Sequence, residues 1–231
     1  MAELLRSWQD VAHILGAELD YADNRDHQTR EEAITMRVRH RHWTIEFESR
    51  TNSKGKEQTD AYTRISCSLP GANVFSFNIF EGRLKHRLFK IMGLQDIIIG
   101  DAALDRRFII QADEEAHLKR FLLNPMVRAG LASPYVQQLR LGQNQHPGHS
   151  QNLGQSQSPG LGSEQGQGPG QNQESSAQHG PLTHQLYGRT ERRMHAKAEI
   201  LAHFQLFAAA LDGLYGLELI PEALPANGPK T

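Results

Sequence analysis

The stretch Ala33-Ile34-Thr35-Met36-Arg37-Val38-Arg39-His40-Arg41-His42-Trp43-Thr44-Ile45-Glu46-Phe47-Glu48 decides how the rest of the chain is read. Ile34, Met36 and Val38 alternate with Thr35, Arg37 and Arg39; Trp43, Ile45 and Phe47 alternate with Thr44, Glu46 and Glu48. A period of two is the signature of a strand with one apolar face. The apolar parity changes from even to odd across Arg39-His40-Arg41-His42, which predicts a turn there and therefore a β-hairpin.

Outward from this hairpin the alternation resumes. Ala61 to Leu69 carries Ile65, Cys67 and Leu69 on one face, and Pro70-Gly71 signals a turn. Val74 to Ile79 places Phe75, Phe77 and Ile79 together, and Arg107 to Gln111 reads as another strand. Asp20 to Glu32 and Thr51 to Asp60 are polar and read as loops. Before the strands, Leu4, Trp8, Val11 and Leu15 recur at helical spacing, widened by Leu5, Ala12 and Ile14. Leu84, Leu88 and Ile91 suggest a short helix that Gly93 stops. Asp113 is placed to cap a helix through Leu123, and Asn124-Pro125 to start the next. Near the end, Thr190 is placed to cap a long helix with a stripe of Met194, Leu201, Phe204, Ala208 and Leu211. Short strand connections favour antiparallel pairing. The expected class is α+β, a mainly antiparallel sheet with an N-terminal helix, short helices and a long C-terminal helix.

Of the 231 residues, 38% are hydrophobic, and the deficit is local. From Gly142 to Pro181 lie 40 residues, of which 9 are Gly, 10 Gln, 6 Ser, 3 Asn and 4 Pro, with no aromatic, Lys or Arg. Such a composition cannot offset chain entropy by burial, so a disordered insert is expected at 142–181. The segment after it is too small for a core of its own. The expectation is one α+β domain made of 1–141 and 182–219, with 220–231 a flexible tail.

Lys plus Arg is 25 and Asp plus Glu 26, a formal charge of -1, so no global electrostatic pull on nucleic acid exists. One cysteine, Cys67, excludes a disulfide framework. No run approaches the ~18–20 apolar residues of a transmembrane helix, and the first residues lack a basic-then-apolar layout. A cytoplasmic protein is expected.

The most local candidate for chemistry is Ile99-Gly100-Asp101-Ala102-Ala103-Leu104-Asp105-Arg106-Arg107-Phe108. Asp101 and Asp105, with Arg106, could bind a ligand, or the two carboxylates could serve as acid and base. The simpler reading is structural: Gly100 permits a turn, Asp101 bonds its own backbone, and Asp105 caps or pairs with Arg106 or Arg107. The stretch from Trp43 through Gln95-Asp96-Ile97 to this Gly-Asp-x-x-x-Asp-x-x-Phe segment resembles a group of bacterial domains of unknown function, across about residues 8 to 132. In those a strand-rich body is followed by a similar turn and a helix. The resemblance implies a bacterial source and carries over no catalytic residue.

Basic residues concentrate twice. Arg37, Arg39 and Arg41 lie with His40 and His42, and Arg83, Lys85, Arg87 and Lys90 lie with His86. Adjacent in space, the clusters could hold phosphates, a nucleic-acid backbone or anionic lipid; apart, they are solvated faces. Among 12 histidines, His146, His149 and His179 fall in the insert. His40 and His42 could share a face, and His195 and His203 are eight apart on the long helix. No metal or cofactor is assigned. Hydrolase-elbow and phosphate-loop motifs are missing. Cys67, on the apolar parity, reads as an inert thiol. Three functions are weighed: a non-catalytic domain binding a protein partner or small ligand, an enzyme using Asp101 and Asp105, and docking on an anionic membrane or nucleic acid. Oligomeric state is not legible.

Overall fold

A computed structural model describes residues 2–25, 29–54, 58–70, 75–82, 97–143 and 183–220. Helix α1 (Ala2–Leu15) leads into β1 (Glu18–Arg25), β2 (Thr29–His40), β3 (Trp43–Lys54), β4 (Gln58–Pro70) and β5 (Phe77–Glu81). Then come α2 (Ala102–Arg107), β6 (Phe108–Ala112), α3 (Glu115–Leu122), α4 (Pro125–Ala132), β7 (Gln138–Gln143), β8 (Thr183–Thr190) and α5 (Lys197–Gly216). The eight strands form one sheet in the order β1-β2-β3-β4-β8-β7-β5-β6, and every pairing is antiparallel. The class is α+β.

The hairpin expected across Arg39 to His42 is present. His40 pairs with Trp43, and Arg41 carries a φ of 55, the left-handed turn position that flips the parity. Ile34, Met36, Val38, Trp43, Ile45, Phe47, Ile65, Cys67 and Leu69 are buried against the helices. Each such side chain contributes roughly 1.5–3 kcal/mol by leaving water. Trp8 of α1 meets Phe47 edge to face, with ring centroids 6.3 Å apart. Ile14, placed on the apolar stripe, is instead 62% exposed.

Several expectations change. Asp20 to Glu32 is not a loop: β1 and the start of β2 occupy it, with only residues 26–28 outside the description. The strand is an edge strand, held by its backbone ladder and by cross-strand pairs such as Arg37–Asp20 at 2.9 Å, neither of which needs an apolar face. Thr51 to Asp60 likewise extends β3 to Lys54 and starts β4 at Gln58. Asp113 caps no helix; its Oδ1 accepts from the Ser76 backbone N–H at 2.8 Å, and Glu114 stands at the N-cap of α3 without a side-chain bond. Asn124 does cap α4, accepting from the Met126 N–H at 2.9 Å.

The largest change lies after the insert. Thr190 ends a strand, β8, and α5 begins seven residues later with Ala196 at its N-cap. β8 slides between β4 and β7, so the sheet is completed by chain from beyond the insert. Its inward positions are His184, Leu186, Gly188 and Thr190, of which only Leu186 is strongly apolar, so periodicity could not find it. A Cβ at Gly188 would sit 3.1 Å from both the Phe207 ring of α5 and the Gln138 carbonyl oxygen, closer than most side-chain contacts. β7 includes Gly142 and Gln143, the first two residues assigned to the insert. Residues 144–182, 83–96 and 221–231, which hold most of the insert, the expected Leu84 helix and most of the tail, lie outside the described residues. Among the described residues no helix is long and apolar enough to cross a membrane.

Candidate functional site

The Gly-Asp-x-x-x-Asp turn is built from the backbone inward. Gly100 has a φ of 82, a conformation favouring glycine. Asp101 is the N-cap of α2, and its Oδ1 accepts from the N–H groups of Ala103 at 3.1 Å and Leu104 at 3.2 Å. Asp105 reaches back: Oδ1 accepts from the Ile99 N–H and Oδ2 from the Gly100 N–H, both at 3.0 Å. Each carboxylate satisfies two backbone donors of the other's segment, which locks the entry to α2. Arg106 is exposed. Its neighbour Arg107, not Arg106, is the structural cation here. Its guanidinium donates to Glu81 Oε1 at 2.9 Å and to the carbonyls of Leu131, Ser133 and Val136 at 3.1, 2.7 and 2.6 Å, tying the C-terminus of α4 to β5.

The first basic concentration is internally balanced. Arg37 lies between Glu46 at 3.0 Å and Asp20 at 2.9 Å, and these partners hold its pKa above the ordinary arginine value. Arg41 donates to Asp212 at 2.7 Å and lies over the Tyr215 ring. Arg39 is exposed. Arg83, Lys85, Arg87 and Lys90 lie outside the described residues. His40 turns to Asp212 at 3.0 Å, whereas His42 packs edge-on to Trp43, so the two do not converge. Among the described residues no group of three or more His, Cys, Asp or Glu could hold a metal ion. Cys67 is buried, and that burial pushes its thiol up to about 12, which keeps it protonated.

A different cluster gathers where β8 gives way to α5. Arg193 is buried: its Nε donates to Ser49 Oγ at 3.2 Å and its Nη1 to Glu32 Oε2 at 2.9 Å. Glu32 also receives Arg30 at 2.5 Å, and Arg30 reaches Asp23 at 3.7 Å. Next to it, Arg192 makes a two-pronged bond to buried Glu199, at 3.1 and 2.6 Å. Met194 donates its N–H to Thr63 Oγ1 and accepts from Trp8 Nε1, both at 3.0 Å. One turn into α5, His203 donates from Nδ1 to the Glu199 carbonyl at 2.9 Å. Burial lowers its pKa to about 4; the Arg192 charge adds to this and the Glu199 bond opposes it.

One donor in this knot is left over. Arg193 Nη2 is buried and has no acceptor, a state that costs about 1–3 kcal/mol. Arg193 also contributes to the wall of a cavity of about 430 Å³, together with Glu3, Leu4 and His195, but Nη2 itself has almost no surface open to it. Glu3 and Leu4 belong to the first turn of α1, where backbone N–H groups have no partner within the helix and the dipole is positive. The sequence carries no local signal for this site. Glu32 sat in an apparent loop, Arg193 in an apparent helix, and the two are 161 residues apart. In the sequence His195 stands out only by its eight-residue spacing from His203, and the two have different surroundings: His195 is exposed and His203 buried.

Comparison with protein-family models, curated proteins and solved structures finds no match for this chain.

Proposed function

We propose that the protein is a non-catalytic domain that binds a small ligand in the cavity between the first turn of α1 and the connection from β8 to α5. The observation that carries this reading is the cavity of about 430 Å³ itself, whose wall is formed by Glu3, Leu4, His195 and the buried Arg193 that Ser49 and Glu32 hold in place. Ligand pockets of this size, about 300–1,000 Å³, typically combine apolar walls with a few fixed polar groups. The non-catalytic part is supported by what the reactive groups already do. Asp101 and Asp105 bond backbone, Cys67 is a desolvated thiol, and His203 is committed within α5. Docking on anionic polymers has less support, since Arg37 and Arg41 are neutralised by their neighbours. We take the protein to be bacterial and cytoplasmic, on the resemblance in its Gly-Asp turn and its single cysteine.

The test is a thermal-shift screen of anionic, neutral and cationic small molecules, followed by calorimetry. Saturable stabilisation that is lost when cavity residues are changed supports the reading. Turnover of any screened compound that is abolished in Asp101→Asn overturns its non-catalytic part.

A further inference from the structure

We infer that the free edge of β1 is an interface for a second copy of this chain, paired antiparallel about a two-fold axis at Tyr21. The two ends of the sheet differ. At one end β6 has five residues, and Ile97 beside it already donates its N–H to the Ile110 carbonyl at 2.7 Å. At the other end β1 has eight residues in unbroken register with β2, with no bulge, no Pro and no Lys, the usual devices that blunt an edge. Among the described residues no backbone bond reaches β1 from its far side. Its Tyr21 lies opposite Ile34, on the face that carries the core, yet is 40% exposed.

The charges on β1 choose both the occupant and the register. In a continuous sheet, residues opposite each other share a face, so self-pairing about a two-fold axis must be centred on a residue. Centred on Asp20 or Asp23, it would set two aspartates face to face, which is unfavourable. Centred on Ala22, it would set Tyr21 against Asp23. Centred on Tyr21, it sets Tyr21 against Tyr21 of the second copy, Asp20 against Ala22 and Glu18 against Asn24, with no like charges opposed. Aromatic cross-strand pairs are favourable. Asp20 and Asp23 also carry counterions from their own sheet, Arg37 at 2.9 Å and Arg30 at 3.7 Å, which weakens the repulsion between two acidic edges.

The experiment is sedimentation equilibrium on the full chain, joined to site-directed cross-linking. The interface is a short ladder, so a monomer–dimer equilibrium with a Kd of about 1–100 μM is expected. Tyr21→Glu places like charges on the axis and should weaken the dimer at least about 10-fold, with an unchanged melting temperature showing that the exposed position is not needed for folding. A short bis-maleimide should join two chains of Tyr21→Cys, whose Cβ atoms would lie about 4.5–5.5 Å apart. It should not join Asn24→Cys, because the two Asn24 sites would lie six register steps, roughly 20 Å, apart. Wild type is the blank, since its one cysteine, Cys67, is buried. A chain that stays monomeric at about 200 μM overturns the inference. So does a dimer indifferent to Tyr21→Glu, or one that cross-links at position 24 as readily as at 21. The cavity reading stands apart from these outcomes, because its wall is formed by α1 and the connection from β8 to α5.

Discussion

The Trp8 indole Nε1 donates a hydrogen bond to the Met194 carbonyl oxygen over 3.0 Å, joining residues 186 apart in the chain. Met194 in turn donates to Thr63 of β4, so one residue ties α1 to the sheet through the connection that leads into α5. Trp8→Phe removes the donor, leaves a buried carbonyl without a partner and shortens the ring. A loss of roughly 2–4 kcal/mol is expected. Urea unfolding followed by Trp43 fluorescence measures it, and a loss below about 0.5 kcal/mol would sink the claim that this bond fastens the helix.

The Gly-Asp turn predicts a pattern that separates a helix cap from an acid–base pair. Asp101→Ala should lose about 1 kcal/mol, whereas Asp101→Asn keeps an acceptor and should lose much less. Asp105→Ala strips acceptors from two N–H groups and should lose about 1–2 kcal/mol. Chemical denaturation of the three variants decides it. Equal destabilisation by Asn and Ala at position 101 would contradict the capping geometry.

His203 sets a pH dependence with a definite sign. Its folded pKa lies near 4, below the 6.5 of an exposed imidazole. The unfolded chain therefore binds a proton that the folded chain refuses. The contribution is complete above pH 6.5, declines as pH falls, and is exhausted near pH 4. Its full span is on the order of 3 kcal/mol. The difference between wild type and His203→Gln, taken from unfolding curves between pH 7 and about 4, should narrow by that amount. Parallel curves over this range would refute the assignment.

Gln143 and His184 are ladder partners on β7 and β8, although 40 residues separate them. Replacing 144–182 by a three-residue Gly-containing turn should keep the sheet and either preserve stability or raise it by up to about 2 kcal/mol, from the shorter loop. This also tests the reading of 1–141 and 182–219 as one domain. A marked fall in melting temperature would mean that the removed residues support the fold.

Cys67 should resist alkylation. With its thiol held protonated up to about 12 and its side chain buried, reaction with iodoacetamide at pH 8 should proceed only as fast as the protein opens. Rapid labelling of the native chain would show that β4 is not packed as described.

The sequence alone determined the parts whose signal is local. Ile34 to Phe47 alternate because one face of that hairpin is buried, and the parity change falls where Arg41 takes a left-handed φ. Asn124-Pro125 starts α4 because its cap bond spans two residues. The 38% hydrophobic content likewise resolves, by composition alone, into a polar segment and a body with an ordinary core. What the tertiary structure decided are the interactions without a local signature. β1 is held at an edge by backbone bonds and ion pairs that demand no apolar period, and β8 is recruited with a single strongly apolar inward residue because β4 and β7 supply both its ladders. Asp113 served a distant N–H in place of its own helix. The cavity beside Arg193 belongs to this second class. A charged residue reads as solvent-facing until the fold brings Glu32 and Ser49 to it, and only that burial, across 161 and 144 residues, leaves Nη2 as a donor without an acceptor.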